Sequence, residues 1–163
     1  MFWGVFAWGI RTQLFELVGD EFSDRKGVTG ATIRSTLSEA LPTIAEPGMV
    51  FMQDNAPVHT SHVVQKWLGD FSRENQIELL DWPAYSPDLN PIENIWKLLK
   101  DAINDKFPDL KDLPRNQEAL DRLIHAAIVC WNELEDRLFE SVIKSMPRRM
   151  EAVIEAGGWY TKY

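Results

Sequence analysis

Two acidic residues stand where a hard-cation site would be built. Asp54 follows the apolar run Met49-Val50-Phe51-Met52 and lies within Gln53-Asp54-Asn55-Ala56-Pro57-Val58-His59. A short apolar run between Pro47-Gly48 and Asp54-Asn55 reads as a buried strand with a polar tip. In open α/β sheets, ligands bind beyond such strand ends. Glu93 follows the stiff string Trp82-Pro83-Ala84-Tyr85-Ser86-Pro87-Asp88-Leu89-Asn90-Pro91-Ile92. It falls in the first turn of a helix that Asn90 would cap and Pro91 would open. Residues 55–92 separate the two carboxylates, thirty-eight in all. That is room for one helix, one strand and one loop, enough to bring them back to a shared site. Hard divalent cations take carboxylate oxygens and keep some waters. Two such ions can activate a water or hydroxyl and stabilise a leaving oxygen in phosphodiester chemistry.

Each residue also has a plainer reading. Asn90 and Glu93 have the spacing of a capping box, and Glu93 can pair with Lys97 one turn on. Asp54 can serve an Asx-type turn with Asn55 and Pro57. His59 either assists at the site or bonds a loop carbonyl. His62 reads as a helix-surface residue, and Asp88 as a residue that structures the Pro-rich loop. Trp82, Trp96 and Trp131 read as core, the last two on helical apolar stripes. Lys144, Arg148, Arg149 and Lys162 form a small basic cluster, which reads as a solvated face before it reads as a contact for DNA phosphates.

The elements that must position these residues are legible in outline. Met1–Ile10 and Leu14–Val18 read as strands, with Arg11-Thr12-Gln13 as the turn between them. The first run lacks a basic leader and is followed directly by Arg11, so it reads as a strand and not as a signal peptide. Ile33, Leu37, Leu41 and Ile44 recur at helical spacing, and Pro42 kinks or ends that helix. Val64, Trp67, Leu68 and Phe71 mark a helix capped by Thr60 or Ser61. Ile77–Leu80 reads as a strand. Ile92, Ile95, Trp96, Leu99 and Ile103 form the stripe of the Glu93 helix. Leu120, Leu123, Ile124, Ala127, Ile128 and Trp131 form another, and helices over 138–156 stop at Gly157-Gly158. Strands first, then alternation, then helices suggest a mixed sheet with helices packed on it.

The 163 residues suit one domain, with 45% hydrophobic and 26% charged residues in an ordinary globular mix. A single cysteine, Cys130, excludes an internal disulfide and a cysteine-built zinc site. No apolar run approaches a membrane span, so no membrane partner is expected. The net charge of −8 argues against strong stand-alone DNA affinity. It leaves open a DNA-processing site whose metal ions reverse the local sign.

The strings Gln53-Asp54-Asn55-Ala56-Pro57 with His59, and Ser86-Pro87-Asp88-Leu89-Asn90-Pro91-Ile92-Glu93, closely resemble the DDE domain of Tc/mariner transposases. Trp3-Gly4 with Gly9, and Ser145-Met146-Pro147-Arg148-Arg149-Met150 through Gly157-Gly158, are similar to that family too. The resemblance implies an α/β, ribonuclease H-like mixed sheet flanked by helices, with a helical C-terminus. It implies a three-carboxylate site for two Mg2+ or Mn2+ ions, in which Asp54 is the second ligand and Glu93 the third. His59, Asn55 and Asn90 become supporting neighbours. The implied partner is DNA, both transposon ends and target, with a possible homodimer and a nuclear location. The spacing of the two carboxylates is a few residues longer than is common in the family, and the surplus is assigned to a polar connector around Phe71–Gln76.

The family's first carboxylate lies on a strand upstream of the Trp-Gly stretch. Asp20 and Asp24 follow the second strand here and do not match it. The expectation is therefore one DDE domain over residues 1–163, short of the first strand and of the helix-turn-helix DNA-binding region. Such a chain is expected to show little or no strand cleavage and leaves the enzyme assignment open. The alternative is a non-catalytic module for dimerisation or DNA association.

Overall fold

The computed structural model describes residues 1–83, 86–159 and 161–162. Ala84 and Tyr85 of the Pro-rich string lie outside the described residues.

The N-terminal run is not one strand. It folds back on itself as β1 (Phe2–Trp3), β2 (Phe6–Ala7), β3 (Ile10–Arg11) and β4 (Phe15–Glu16). The reversal sits at Trp8-Gly9, where Gly9 has φ +72°, and not at Arg11–Gln13 as the sequence suggested. A left-handed φ suits glycine because it has no Cβ to clash. β2 pairs with β3 and β1 with β4, both antiparallel. Between the two ladders, Gly4-Val5 on one arm stand opposite Thr12-Gln13-Leu14 on the other. The extra residue is a bulge, which bends the arm and re-aims its side chains. Thr12 secures it by donating its N–H to the Val5 carbonyl at 2.9 Å and accepting the Val5 N–H on Oγ1 at 3.2 Å.

The hairpin is buried on both faces. Trp3 and Leu17 join a core with Ile33, Leu37, Val64, Leu68 and Phe71. Leu14 joins a second core with Ile95, Leu99, Ala127, Cys130, Trp131 and Phe139. Helices α1 (Gly30–Ala40) and α2 (His62–Asn75) supply the first core. The second is built by α3 (Ile92–Lys106), α4 (Gln117–Glu133) and α5 (Asp136–Lys144), with α6 (Met146–Glu155) closing the chain's helical end. A parallel pair, β5 (Val50–Phe51) with β6 (Glu78–Leu79), lies with α2 and the first core. Strands and helices thus alternate as expected, and among the described residues the strands form three two-stranded ladders.

Local signals act as read in several places. Pro42 converts the end of α1 into a 3-10 turn over Leu41–Thr43, while Thr29, which the sequence reading did not single out, caps the start through a capping box with Thr32. Gly157 and Gly158 take positive φ at the end of α6. Elsewhere packing overrides them. Phe71–Asn75 are not a connector but the last turn of α2, with Phe71 buried and Gln76 left-handed at φ 56°. In α4 the buried face is Ala126, Ala127, Cys130 and Trp131, while Leu120, Leu123 and Ile128 are exposed. Cys130 is free and buried, and burial pushes its thiol up.

Trp131 ties the hairpin to the helices. It is fully buried, and its Nε1–H donates to the Thr12 carbonyl at 2.9 Å. Its rings meet Trp96 and Phe139. A Cβ at Gly4 would stand 3.0 Å from two atoms of the Trp131 ring, so the Trp3-Gly4 pair needs its glycine for close approach. Arg11 adds bonds to the Leu134 and Asn132 carbonyls at the end of α4, at 2.8 and 3.0 Å. Trp131→Phe should cost about 1–3 kcal/mol, because the buried Thr12 carbonyl loses its donor. Urea unfolding measures this; an unchanged midpoint would remove the indole bond from the account.

Candidate functional site

Asp54 sits just beyond the C-terminal end of β5, at the polar tip that the sequence indicated. Its Oδ1 accepts the Ala56 N–H at 3.0 Å and meets His59 Nδ1 at 2.7 Å. The first contact is the Asx-type turn; the second orients the carboxylate. Both fall on Oδ1, so the group is anchored through that one oxygen. The Asp54 side chain is 46% exposed and that of His59 is 18% exposed, so the pair sits at a surface and not in the core. The His59 carbonyl accepts a bond from Gln65 of α2 at 2.9 Å, which fixes the loop from its far side.

Asn55 has a definite role. Its Nδ2–H donates to the Trp82 carbonyl at 2.8 Å and ties the Asp54 loop to the Pro-rich segment. Trp82 itself is buried, as expected. The Pro-rich segment then makes a 3-10 turn over Pro87–Leu89 and delivers the chain to α3.

Glu93 is exposed in the first turn of α3. A carboxylate there is favourably placed against the helix dipole. Asn90 has the extended backbone of a cap residue, and its carbonyl accepts the Glu93 N–H at 3.2 Å. Among the described residues no side chain caps the helix start, so the capping box of Asn90 with Glu93 is not formed. The side chain of Asn94 is engaged instead by Arg149 at 2.5 Å.

The two carboxylates meet on one cavity of about 380 Å³, lined by Asp54, Asn55, Trp82, Ser86, Asn90 and Glu93 among others. It lies at the seam between the two cores, because β5 belongs to one and α3 to the other. His59 reaches the cavity through Asp54. Asp88 structures the loop, as expected: its Oδ2 accepts Thr161 Oγ1–H at 2.9 Å. Asp20 likewise serves its own loop, holding Phe22 N–H and Thr29 Oγ1–H at 3.0 and 2.9 Å. His62 is exposed. Among the described residues, no group of three or more His, Cys, Asp or Glu side chains is placed to hold a metal ion.

Of the basic cluster, Lys144, Arg148 and Lys162 are exposed, as a solvated face requires, and Arg149 alone departs from that reading. Arg149 is 2% exposed and bonded within the fold. Lys144 pairs with Glu140 at 3.6 Å and lies 4.7 Å from the Trp8 ring centre. The one signal for the burial of Arg149 was its place four residues after Ser145, which puts both on one helical face.

Asn55→Ala should cost about 1 kcal/mol, with the loss concentrated between the Asp54 loop and Trp82. A urea midpoint equal to that of the unaltered chain would show that the Asn55 bridge does not hold the cavity wall.

Comparison with known proteins bears on the whole arrangement. A family model described as DDE superfamily endonuclease matches residues 23–114. The Tcb2 transposable-element transposase of Caenorhabditis briggsae is 31% identical over 171 residues, covering 100% of this chain and 54% of that protein. The Tc1 transposase of Caenorhabditis elegans is 42% identical over 116 residues, covering 71% of this chain and 38% of that protein. The chain spans about half the length, or less, of the curated relatives it matches. The crystal structure of the catalytic domain of Mos1 mariner transposase superposes with a TM-score of 0.62 at 20% identity, over 99% of this chain and 82% of that one. The likeness supplies the ribonuclease H-like fold expected from the sequence. No helix among the described residues is long and apolar enough to cross a membrane.

Proposed function

Because the chain belongs to the DDE superfamily endonucleases, in their Tc/mariner transposase branch, we propose that Asp54 and Glu93 are two ligands of a divalent-metal site for DNA strand cleavage and strand transfer. The observation that carries this reading is their convergence on one cavity from the ends of β5 and α3. The donor set fits a hard cation. Mg2+ is commonly held by one or two carboxylates, keeps several waters and takes substrate phosphates as further ligands. A bound Mg2+ or Mn2+ supplies Lewis acidity that activates a water or 3′-hydroxyl and stabilises the leaving oxygen.

The chain's own residues do the positioning. His59 and the Ala56 N–H hold Asp54 Oδ1, and thereby set the direction of Oδ2. Asn55 holds the two walls of the cavity together. Glu93 presents its carboxylate from a helix start, a rigid support. DNA is the proposed partner, and access to it implies the nucleus as the place of action. The resemblance assigns three carboxylates to the family's site, and the described residues bring two to this cavity. Strand cleavage by this chain alone is therefore proposed to be weak, since a missing ligand lowers affinity and misplaces the ion.

A second reading is a non-catalytic module for dimerisation or DNA association. Exposed Met150 and Ile154 on α6, with Trp159 just after it, favour a contact surface at that end.

Thermal unfolding separates the two. Mn2+ at about one hundred times its Kd should add about 2.7 kcal/mol to the stability of the chain, an increment that Asp54→Asn and Glu93→Gln abolish. Melts indifferent to Mn2+ in all three proteins would favour the second reading. Plasmid nicking with Mn2+ should stay near background. Robust nicking that Asp54→Ala abolishes would overturn the expectation of weak cleavage while supporting the site.

A further inference from the structure

We infer that Arg149 is a positioning residue for Glu93, an assignment that rests on the reading of Glu93 as a metal ligand. Arg149 is 2% exposed at the start of α6. Burying a guanidinium is costly unless its donors are bonded. Nε–H donates to Ser145 Oγ at 2.8 Å, which orients the fork from its own helix. Nη1–H donates to the Asp88 carbonyl at 2.8 Å, and Nη2–H to Asn94 Oδ1 at 2.5 Å. Asp88 lies in the turn that leads to Glu93, and Asn94 follows Glu93 directly. The guanidinium thus brackets the proposed ligand from both sides.

The bracket meets a local need. Among the described residues the start of α3 has no side-chain cap, and its first turn is closed by the Glu93 N–H to Asn90 bond at 3.2 Å and the Asn94 N–H to Pro91 bond at 3.3 Å. Long bonds at an uncapped end fray readily. A planar fork fixes angle as well as distance, which a lysine ammonium cannot do. Thr161 adds its bond to Asp88 Oδ2, so two residues from the C-terminal segment hold one turn of the Pro-rich loop. Groups behind a ligand tune affinity by fixing its orientation, and that is the role the geometry gives Arg149.

The test uses the full chain, unaltered and as Arg149→Lys, Arg149→Met and Glu93→Gln. Amide hydrogen exchange is followed without metal, and Mn2+ binding by electron paramagnetic resonance. Arg149→Met should accelerate exchange at Asn90, Glu93 and Asn94 roughly tenfold while leaving the Cys130 and Trp131 amides unchanged. Its Mn2+ affinity should fall about tenfold, with Arg149→Lys between it and the unaltered chain. Unchanged amides, acceleration spread evenly to Trp131, or local acceleration with unaltered Mn2+ affinity would each overturn the assignment. If Arg149→Met does not fold, Arg149→Lys decides by the same readouts. Glu93→Gln that binds Mn2+ as the unaltered chain does would overturn the metal-ligand reading. The exchange data then still decide whether Arg149 holds the segment.

Discussion

The arrangement depends on Trp131 lying against the N-terminal hairpin. A hairpin this short is marginal in water, and it persists here because both its faces are covered. Trp131 makes one covering possible: its indole meets the bulge through the Thr12 carbonyl, its ring needs the missing side chain at Gly4, and its neighbour Trp96 carries α3. The bulge matters in turn. Without the extra residue among Thr12-Gln13-Leu14, the second arm would present its apolar side chains to the wrong core. Position along α3 is therefore inherited from the hairpin, and Glu93 takes its place at the end of that chain of contacts.

Acidity and DNA chemistry are compatible on this scaffold. The chain carries a net charge of −8, and its candidate site adds two carboxylates to one cavity. A polyanion such as the proposed DNA partner is repelled by such a surface until cations intervene. Charge at the site then follows the ion and not the protein. The bonds around Asp54 fit the proposed metal site, since local donors fall on one oxygen, Oδ1.

What the sequence disclosed was what local chemistry decides. The Asp54 tip, the Pro-rich approach to Glu93, the stop at Gly157-Gly158 and the effect of Pro42 depend on residues within a few positions of one another. What it concealed was decided by distant partners. The apolar run from Phe2 to Ile10 reads as one strand because nothing in its pattern marks the reversal except Gly9. The exposed Leu120, Leu123 and Ile128 mimic a core stripe, and only the placement of Trp131 shows which face is turned inward. Arg149 looks like one member of a surface cluster, because the groups that bury it lie 61 and 55 residues upstream. The convergence of Asp54 and Glu93 was legible as motif strings, whereas the role of Asn55 as a bridge needed the Trp82 carbonyl in place.

The bond from Trp131 to Thr12 closes a loop of 119 residues. Synthesis runs in the opposite sense to that dependence: the hairpin leaves the ribosome early, and the helix that covers it follows far behind. Closures over such separations are slow. Until then the hairpin face that carries Leu14 waits uncovered, the state in which folding chains aggregate or are held by chaperones.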